Sequence, residues 1–294
     1  MKLSVEIDTP LVQRLIASQF PQWATLPISR VEPNGWDNRT FRLGADMSVR
    51  LPSAQGYAAQ VEKEHRWLHT LAPHLPLAIP TPLELGVPDA GFPWGWCVNR
   101  WIEGQTVDLT DKDNLPEIAL ALADFLNALY RVPTADGPPA GEHNHFRGGP
   151  LVTYDDETRL AIAALDGTID PVAATEMWDA ALGSTWRSPP VWVHGDISAS
   201  NMLVRDGRLV AVIDFGICGV GDPACDLVIA WTFFFGESRE AFRDGLSLDE
   251  DTWARARGWA LWKALITLAG AGGTNPAHAA TAARVLDDLL FDET

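Results

Sequence analysis

The chain has 294 residues, of which 47% are hydrophobic and 21% charged, enough apolar material for one large core or two modest ones. A formal net charge of −17, from 39 acidic against 22 basic residues, argues against a nucleic-acid partner and against an anionic membrane surface, and favours a cationic small molecule. Three cysteines, Cys97, Cys218 and Cys225, cannot pair completely and show no metal-ligand spacing, so a reducing, cytoplasmic setting is expected.

Met1 to Asp8 lacks the apolar stretch of a signal peptide, and the longest apolar run, Leu227 to Phe235, is too short to span a bilayer and reads as a buried helix. Thr9-Pro10 predicts a helix start, Thr9 as N-cap and Pro10 at the first helical position, with Leu11, Val12, Leu15 and Ile16 as its apolar stripe and its end near Phe20-Pro21. Ile28 to Leu51 alternates polar and apolar residues around two turn signals, Pro33-Asn34-Gly35 and Gly44-Ala45-Asp46, which predicts three short antiparallel strands. Gly56 to Leu71 reads as a helix, Pro73 to Pro82 as an extended connector, and Trp94 to Trp101 as a strand that breaks at Ile102-Glu103-Gly104.

Leu115 to Tyr130 has the period of a long apolar helix. Val132 to Gly149, rich in proline and glycine and carrying His143 and His145, reads as a loop of the kind that forms lids or stays disordered. Helices are expected over Tyr154 to Leu165, Pro171 to Leu182 with Asp170 as its cap, Asp249 to Leu268, and Pro276 to Phe291.

Between these helices lies the segment with the most chemistry. Val191-Trp-Val-His194-Gly-Asp196-Ile-Ser-Ala-Ser-Asn201-Met-Leu-Val204 is followed, over a hairpin turn at Asp206-Gly207, by Leu209-Val-Ala-Val-Ile-Asp214-Phe-Gly216. Two apolar strands here carry polar residues that a plain core would not choose. A hydroxyl attacking the γ-phosphorus of ATP needs a carboxylate to take its proton, which suits Asp196. Mg²⁺ on the phosphates needs hard oxygen ligands, which suits Asn201 and Asp214. The pattern His-x-Asp-x-x-x-x-Asn, followed by Asp-Phe-Gly, is that of a protein-kinase catalytic loop with Gly195 where an Arg would stand.

With Gly221-Asp-Pro-Ala-Cys-Asp226-Leu227 added, the chain resembles the aminoglycoside phosphotransferase family, small-molecule kinases with a protein-kinase-like fold. The resemblance implies an α+β, bilobal fold: an antiparallel-sheet N-lobe over 1–103, and a mainly helical C-lobe over 104–294 with the catalytic loop, metal site and acceptor site. ATP with Mg²⁺ would bind between the lobes. By family register Arg50 stands where a Lys usually meets the α- and β-phosphates, and Glu64, with Glu62 as fallback, pairs with it. Gly35 falls in the phosphate-covering loop, and the Arg100 carbonyl and Ile102 amide fall at the adenine hinge. His194 and Asp226 are expected to support the catalytic loop rather than do chemistry.

The expected activity is γ-phosphoryl transfer to a hydroxyl of a small molecule such as an aminoglycoside-type antibiotic. A metabolic kinase acting on a non-antibiotic alcohol shares every motif. A protein kinase would show Ala-Pro-Glu after the Asp-Phe-Gly triplet, and none follows. A nucleotide-binding pseudoenzyme would have lost Asp196, Asn201 or Asp214, and all three stand.

Overall fold

The computed structural model describes residues 5–32, 35, 37–107, 114–270 and 275–291. They divide into two compact units, one of Met1–Gln105 with Val210–Gly216, the other of Thr106–Leu209 with Ile217–Thr294.

The first unit opens with α1 (Thr9–Gln19), whose N-cap is Asp8: its carboxylate accepts the Leu11 N–H at 2.9 Å. The cap lies one residue before the expected Thr9, since either side chain can cap and proline fits the first or second helical position equally. The strands β1 (Ile28–Arg30), β2 (Asn38–Leu43) and β3 (Met47–Pro52) follow, as the alternation predicts. After α2 (Ala58–Leu71) come β4 (Pro82–Gly86) and β5 (Trp96–Arg100), which complete an antiparallel sheet in the order β1-β2-β3-β5-β4. The sequence reading missed β4 because it begins on a proline, a residue tolerated in an edge strand such as this one, where one side of the backbone is unpaired.

Period-two alternation sorts the side chains of this sheet. Phe41, Leu43, Val49, Leu51, Trp96 and Val98 join Leu11, Val12, Leu15 and Ile16 of α1 in one core. Ser48, Arg50, Cys97 and Asn99 alternate with them, and α2 packs against β4 and β5. Gly86, opposite Trp96, leaves room for its ring, because a Cβ there would come within 2.0 Å of it. Residues 210–216 count with this unit through Ala78, whose N–H donates to the Val210 carbonyl at 3.1 Å and whose carbonyl accepts from Val212 at 3.0 Å.

Past β6 (Gln105–Thr106) the second unit is mainly helical: α3 (Leu115–Leu129), α4 (Asp155–Ala164), α5 (Pro171–Gly183), then β7 (Val191–Val193), β8 (Met202–Arg205), β9 (Arg208–Val212), whose residues from Val210 on count with the first unit, and β10 (Gly219–Gly221), then α6 (Ile229–Thr232), α7 (Gly236–Asp244), α8 (Glu250–Leu268) and α9 (Pro276–Phe291). α8 is its axis. Trp253, Ala256, Trp259, Ala260, Leu261 and Leu265 are buried on different faces of it, with α4, α5 and α9 packed around. Asp170 and Asp249 cap α5 and α8 through backbone N–H groups, as expected for Asp170.

Two expectations are corrected here. The apolar run 227–235 is not one helix: Pro223–Val228 is a 3₁₀ helix, a single α-turn follows as α6, and the chain breaks at Phe233. Leu227 to Trp231 are consecutive buried residues with no apolar stripe to mark a period, so composition could not distinguish the two helix types. The segment 132–149 is a packed strap rather than a lid: Val220 donates to the Pro138 carbonyl and Asp222 to the Gly148 carbonyl, both at 2.8 Å. The fully buried Asn144 amide closes the strap on itself, accepting from Gly141 and donating to the Arg147 carbonyl.

Candidate active site

β7 pairs with β10, Trp192 opposite Val220, and both Trp192 and Val193 are buried, so the chain leaves the sheet at a fixed point, His194. At the next residue the backbone turns left-handed: Gly195 has φ +85°, and a Cβ there would lie 2.9 Å from the Ile217 carbonyl oxygen. Both facts require glycine where the protein-kinase pattern has Arg.

Two anchors hold the loop that follows. Asp226, fully buried, accepts the His194 N–H at 3.0 Å and the Gly195 N–H at 2.7 Å, one on each carboxylate oxygen. Burial pushes its carboxyl up to about 7, against these two donors, which pull it down. The 3₁₀ helix that carries Asp226 is capped by Asp222, which accepts the Ala224 N–H and is paired with the buried Arg255 of α8 at 2.6 Å. His194, also fully buried, uses Nδ1 to accept the Asp196 N–H at 3.2 Å. That nitrogen therefore orients Asp196 and is not presented to a reactant.

Asp196 lies at the end of these constraints with its side chain 41% exposed. Asn201 Nδ2 donates to its carbonyl at 2.9 Å and to its Oδ2 at 3.2 Å, while Lys263 Nζ of α8 stands 3.6 Å from Oδ1. Burial alone would raise the Asp196 carboxyl, but Lys263, His194 and Arg147 overcome it and hold it below the ordinary carboxylate value. It is an anion at neutral pH, aimed outward. The Arg147 guanidinium lies 5.0 Å from the Trp259 ring centroid and 4.8 Å from that of Trp262, and Tyr154 stacks on Trp262 at 4.2 Å. From Asp196 a groove of about 840 Å³ opens along α6 to α9, lined by apolar side chains such as Phe233, Ala264 and Val285 and by the charged Arg239, Lys263, Arg284 and Asp288.

In the first unit Arg50 of β3 lies between two carboxylates. Its Nη1 donates to Glu64 of α2 at 3.0 and 3.1 Å, and its Nη2 to Asp214 at 3.2 Å. Burial alone would lower the Arg50 pKa; Glu64 and Asp214 reverse this and hold the guanidinium above its ordinary value. Burial raises the Glu64 carboxyl, with Arg50 and the Phe215 N–H, which donates to Glu64 at 3.0 Å, pulling the other way. Asp214 has φ +68°, a left-handed conformation uncommon outside glycine. Glu62, the fallback partner, is exposed.

Of the remaining expected contacts, Gly35 is exposed and its carbonyl accepts from Arg39 at 2.8 Å, while Pro33, Asn34 and Trp36 of the same turn lie outside the described residues. Arg100 ends β5, with its N–H on the Thr81 carbonyl at 2.9 Å, and Ile102 follows in irregular chain. The His143 ring lies 2.8 Å from the Pro139 carbonyl inside the strap. Sequence reasoning missed Lys263 and Arg147. Lys263 stands in an apolar helix and Arg147 in a proline- and glycine-rich segment, and nothing local ties either to Asp196. The one available hint was a lysine inside the tryptophan-rich stretch Trp259-Ala-Leu-Trp262-Lys263.

Removing the Asp226 carboxylate tests the loop anchor. Asp226→Ala leaves two buried N–H groups without an acceptor and should cost about 2–4 kcal/mol, seen as a lower Tm in scanning calorimetry, together with a lower kcat. An unchanged Tm would mean that the loop is held elsewhere.

A model of the phosphotransferase enzyme family (APH) matches residues 29–259, a stretch that contains Arg50, Glu64, the loop from His194 to Asn201, Asp214 and Asp226. The chain belongs to this family. Two curated relatives, both aminoglycoside 3'-phosphotransferases of Escherichia coli, are 26% identical to it: one over 172 residues, 56% of this chain and 59% of the relative, the other over 140 residues, 46% and 51%. The chain thus matches between half and three-fifths of these relatives' length. Among solved structures, the GDP and kanamycin complex of APH(2")-IIia superposes with a TM-score of 0.71 at 19% identity, covering 95% of this chain and 97% of that one. The macrolide 2'-phosphotransferase MphH of Brachybacterium faecium gives 0.59 at 22%, covering 96% and 98%. At these identities the likeness shows the fold, the α+β, kinase-like architecture of the family.

Proposed function

We propose that the chain transfers the γ-phosphoryl group of ATP, with Mg²⁺, to a hydroxyl of a small molecule. The observation that carries this reading is Asp196: an ionised carboxylate oriented from three sides, by His194, Asn201 and Lys263, at the end of a groove large enough for a drug-sized molecule. An acceptor hydroxyl in that groove would donate to Asp196, which takes the proton as the oxygen attacks the γ-phosphorus and ADP leaves. Structures of relatives with GDP, ADP or ATP bound support a nucleotide as donor.

Arg50 would meet the α- and β-phosphates, and Glu64 would hold its guanidinium in place. Gly35 and the main chain at Arg100 and Ile102 would contact the rest of the nucleotide. Asn201 and Asp214 would each offer an oxygen ligand of the kind a hard cation takes. Asn201 commits its Nδ2 to Asp196, which leaves its amide oxygen for a ligand role, and Asp214 offers a partly exposed carboxylate from a constrained backbone. When bound, the metal would neutralise charge on the phosphates. Asp214→Ala should therefore abolish most of the Mg²⁺ enhancement of ATP binding. Nucleotide titrations with and without Mg²⁺ check this, and equal enhancement in parent and variant would remove Asp214 from the site.

An aminoglycoside-type antibiotic is the acceptor that the relatives' names support, and resistance would then be the biological role. A non-antibiotic alcohol is the second reading, supported by the cations of the groove. Three buried free thiols support a reducing cytoplasm. Among the described residues no helix is long and apolar enough to cross a membrane.

A further inference from the structure

The protein is acidic, yet the described lining of the groove that begins at Asp196 includes Arg239, Lys263 and Arg284 against the carboxylates Asp196 and Asp288. Arg239 donates to Asp288 at 2.7 Å and to the Ala230 carbonyl at 2.8 Å. Arg284 donates to the same Asp288 at 3.2 Å and to the Thr232 carbonyl at 2.9 Å. One carboxylate serves two guanidinium groups, and backbone carbonyls fix the direction of both. Among the described lining residues the other carboxylate, Asp196, faces Lys263.

A polycationic acceptor needs carboxylates to receive its ammonium groups. Among the described lining residues it would find the base itself and a carboxylate already shared by two arginines, with three cations nearby to repel it. The rest of the wall, with Phe233, Ala264 and Val285, suits an apolar body. We infer that the acceptor is an alcohol with an apolar body and an anionic group, a carboxylate or a phosphate, which the cations Lys263 and Arg284 attract, and that a polycationic aminoglycoside is disfavoured. The inference rests on the reading of Asp196 as the base that the acceptor hydroxyl approaches. It reverses the sign that the net charge of the chain favours, because a ligand meets the local lining of the groove at close range and the distant surface only through salt screening.

The test uses the full chain without nucleotide, titrated calorimetrically with ω-hydroxyoctanoate, the neutral octanediol, the cationic amino-octanol, and kanamycin. The carboxylate should bind about three- to tenfold more tightly than the diol, the size expected for one or two half-exposed ion pairs, and the amino alcohol more weakly than either. The preference should shrink in Lys263→Met and in Arg284→Gln, and in added salt. Kanamycin or amino-octanol binding as tightly as the carboxylate, or no binding of the carboxylate, would overturn the inference. So would variants that leave the order of the probes unchanged. Phosphoryl transfer is measured separately, as ATP-dependent phosphorylation of any probe that binds. Its absence with the binding order intact would remove the kinase reading and keep the sign of the groove, whereas turnover of kanamycin alone would do the reverse.

Discussion

Asp196→Ala is expected to lower kcat by about 10²–10⁴-fold on a verified acceptor while ATP binds with nearly the parent affinity, since a positioned general base contributes about that much and the carboxylate is argued to face the hydroxyl rather than the nucleotide. Asp196→Asn sharpens the test. It keeps the size of the side chain and a side-chain oxygen to accept from Asn201 Nδ2, but has no site to take a proton. The pH profile gives a second readout. Lys263, His194 and Arg147 hold the Asp196 carboxyl below its ordinary value, so the working anion is present above that depressed value and is lost as pH falls through it. The acid limb of kcat/KM should therefore lie below the ordinary carboxylate range, and should move up when Lys263 is replaced by Met. Parent-like turnover by Asp196→Ala would overturn the assignment.

Arg50→Ala should act on stability and on the nucleotide together. The Arg50 and Glu64 side chains are only 13% and 5% exposed, so removing the guanidinium leaves a buried carboxylate with the Phe215 N–H as its remaining described donor. Breaking a buried pair from one side costs about 3–5 kcal/mol, far more than an intact pair contributes. The expected result is a lower denaturant midpoint with the KM for ATP raised more than that for the acceptor. Arg50→Lys should recover part of the stability and less of the KM, because a single ammonium cannot bond Glu64 and Asp214 as the two-armed guanidinium does. Arg50→Ala/Glu64→Gln separates the effects: stability should return, since no unpaired charge stays buried, while the KM for ATP should not. A double variant with the KM of the parent would mean that Arg50 serves only to neutralise Glu64.

The sequence made the local chemistry legible and left most of the long-range part hidden. His194, Asp196, Asn201 and Asp214 stand out as candidates because polar residues at fixed spacing inside apolar strands have few other reasons to be there. Family register points to Glu64, and its position on α2 gives an independent signal. It lies in the stripe Val61, Glu64, Trp67, Leu68 and Leu71, so a helix burying that stripe must bury a carboxylate and requires a cation opposite it. Glu62 lies off the stripe. Lys263 and Arg147 were not legible, because they reach Asp196 from a central helix and from a strap whose order depends on backbone bonds to β10. The strap reads as a loop because it is held by irregular turns, the Asn144 amide and backbone bonds to Val220 and Asp222, and periodicity carries no trace of those.

The backbone at Gly195 also bears on how such enzymes can diverge. Its left-handed φ and the nearby Ile217 carbonyl leave no room for a side chain, so the single codon change that would write a protein-kinase arginine there meets two penalties at once. A saturation library at 195 screened for folded, active protein should return glycine alone. Passage between the two loop sequences would first require rerouting the chain at Ile217. In this chain the position is then a one-way gate: the protein-kinase loop is closed to it by point substitution at 195 alone.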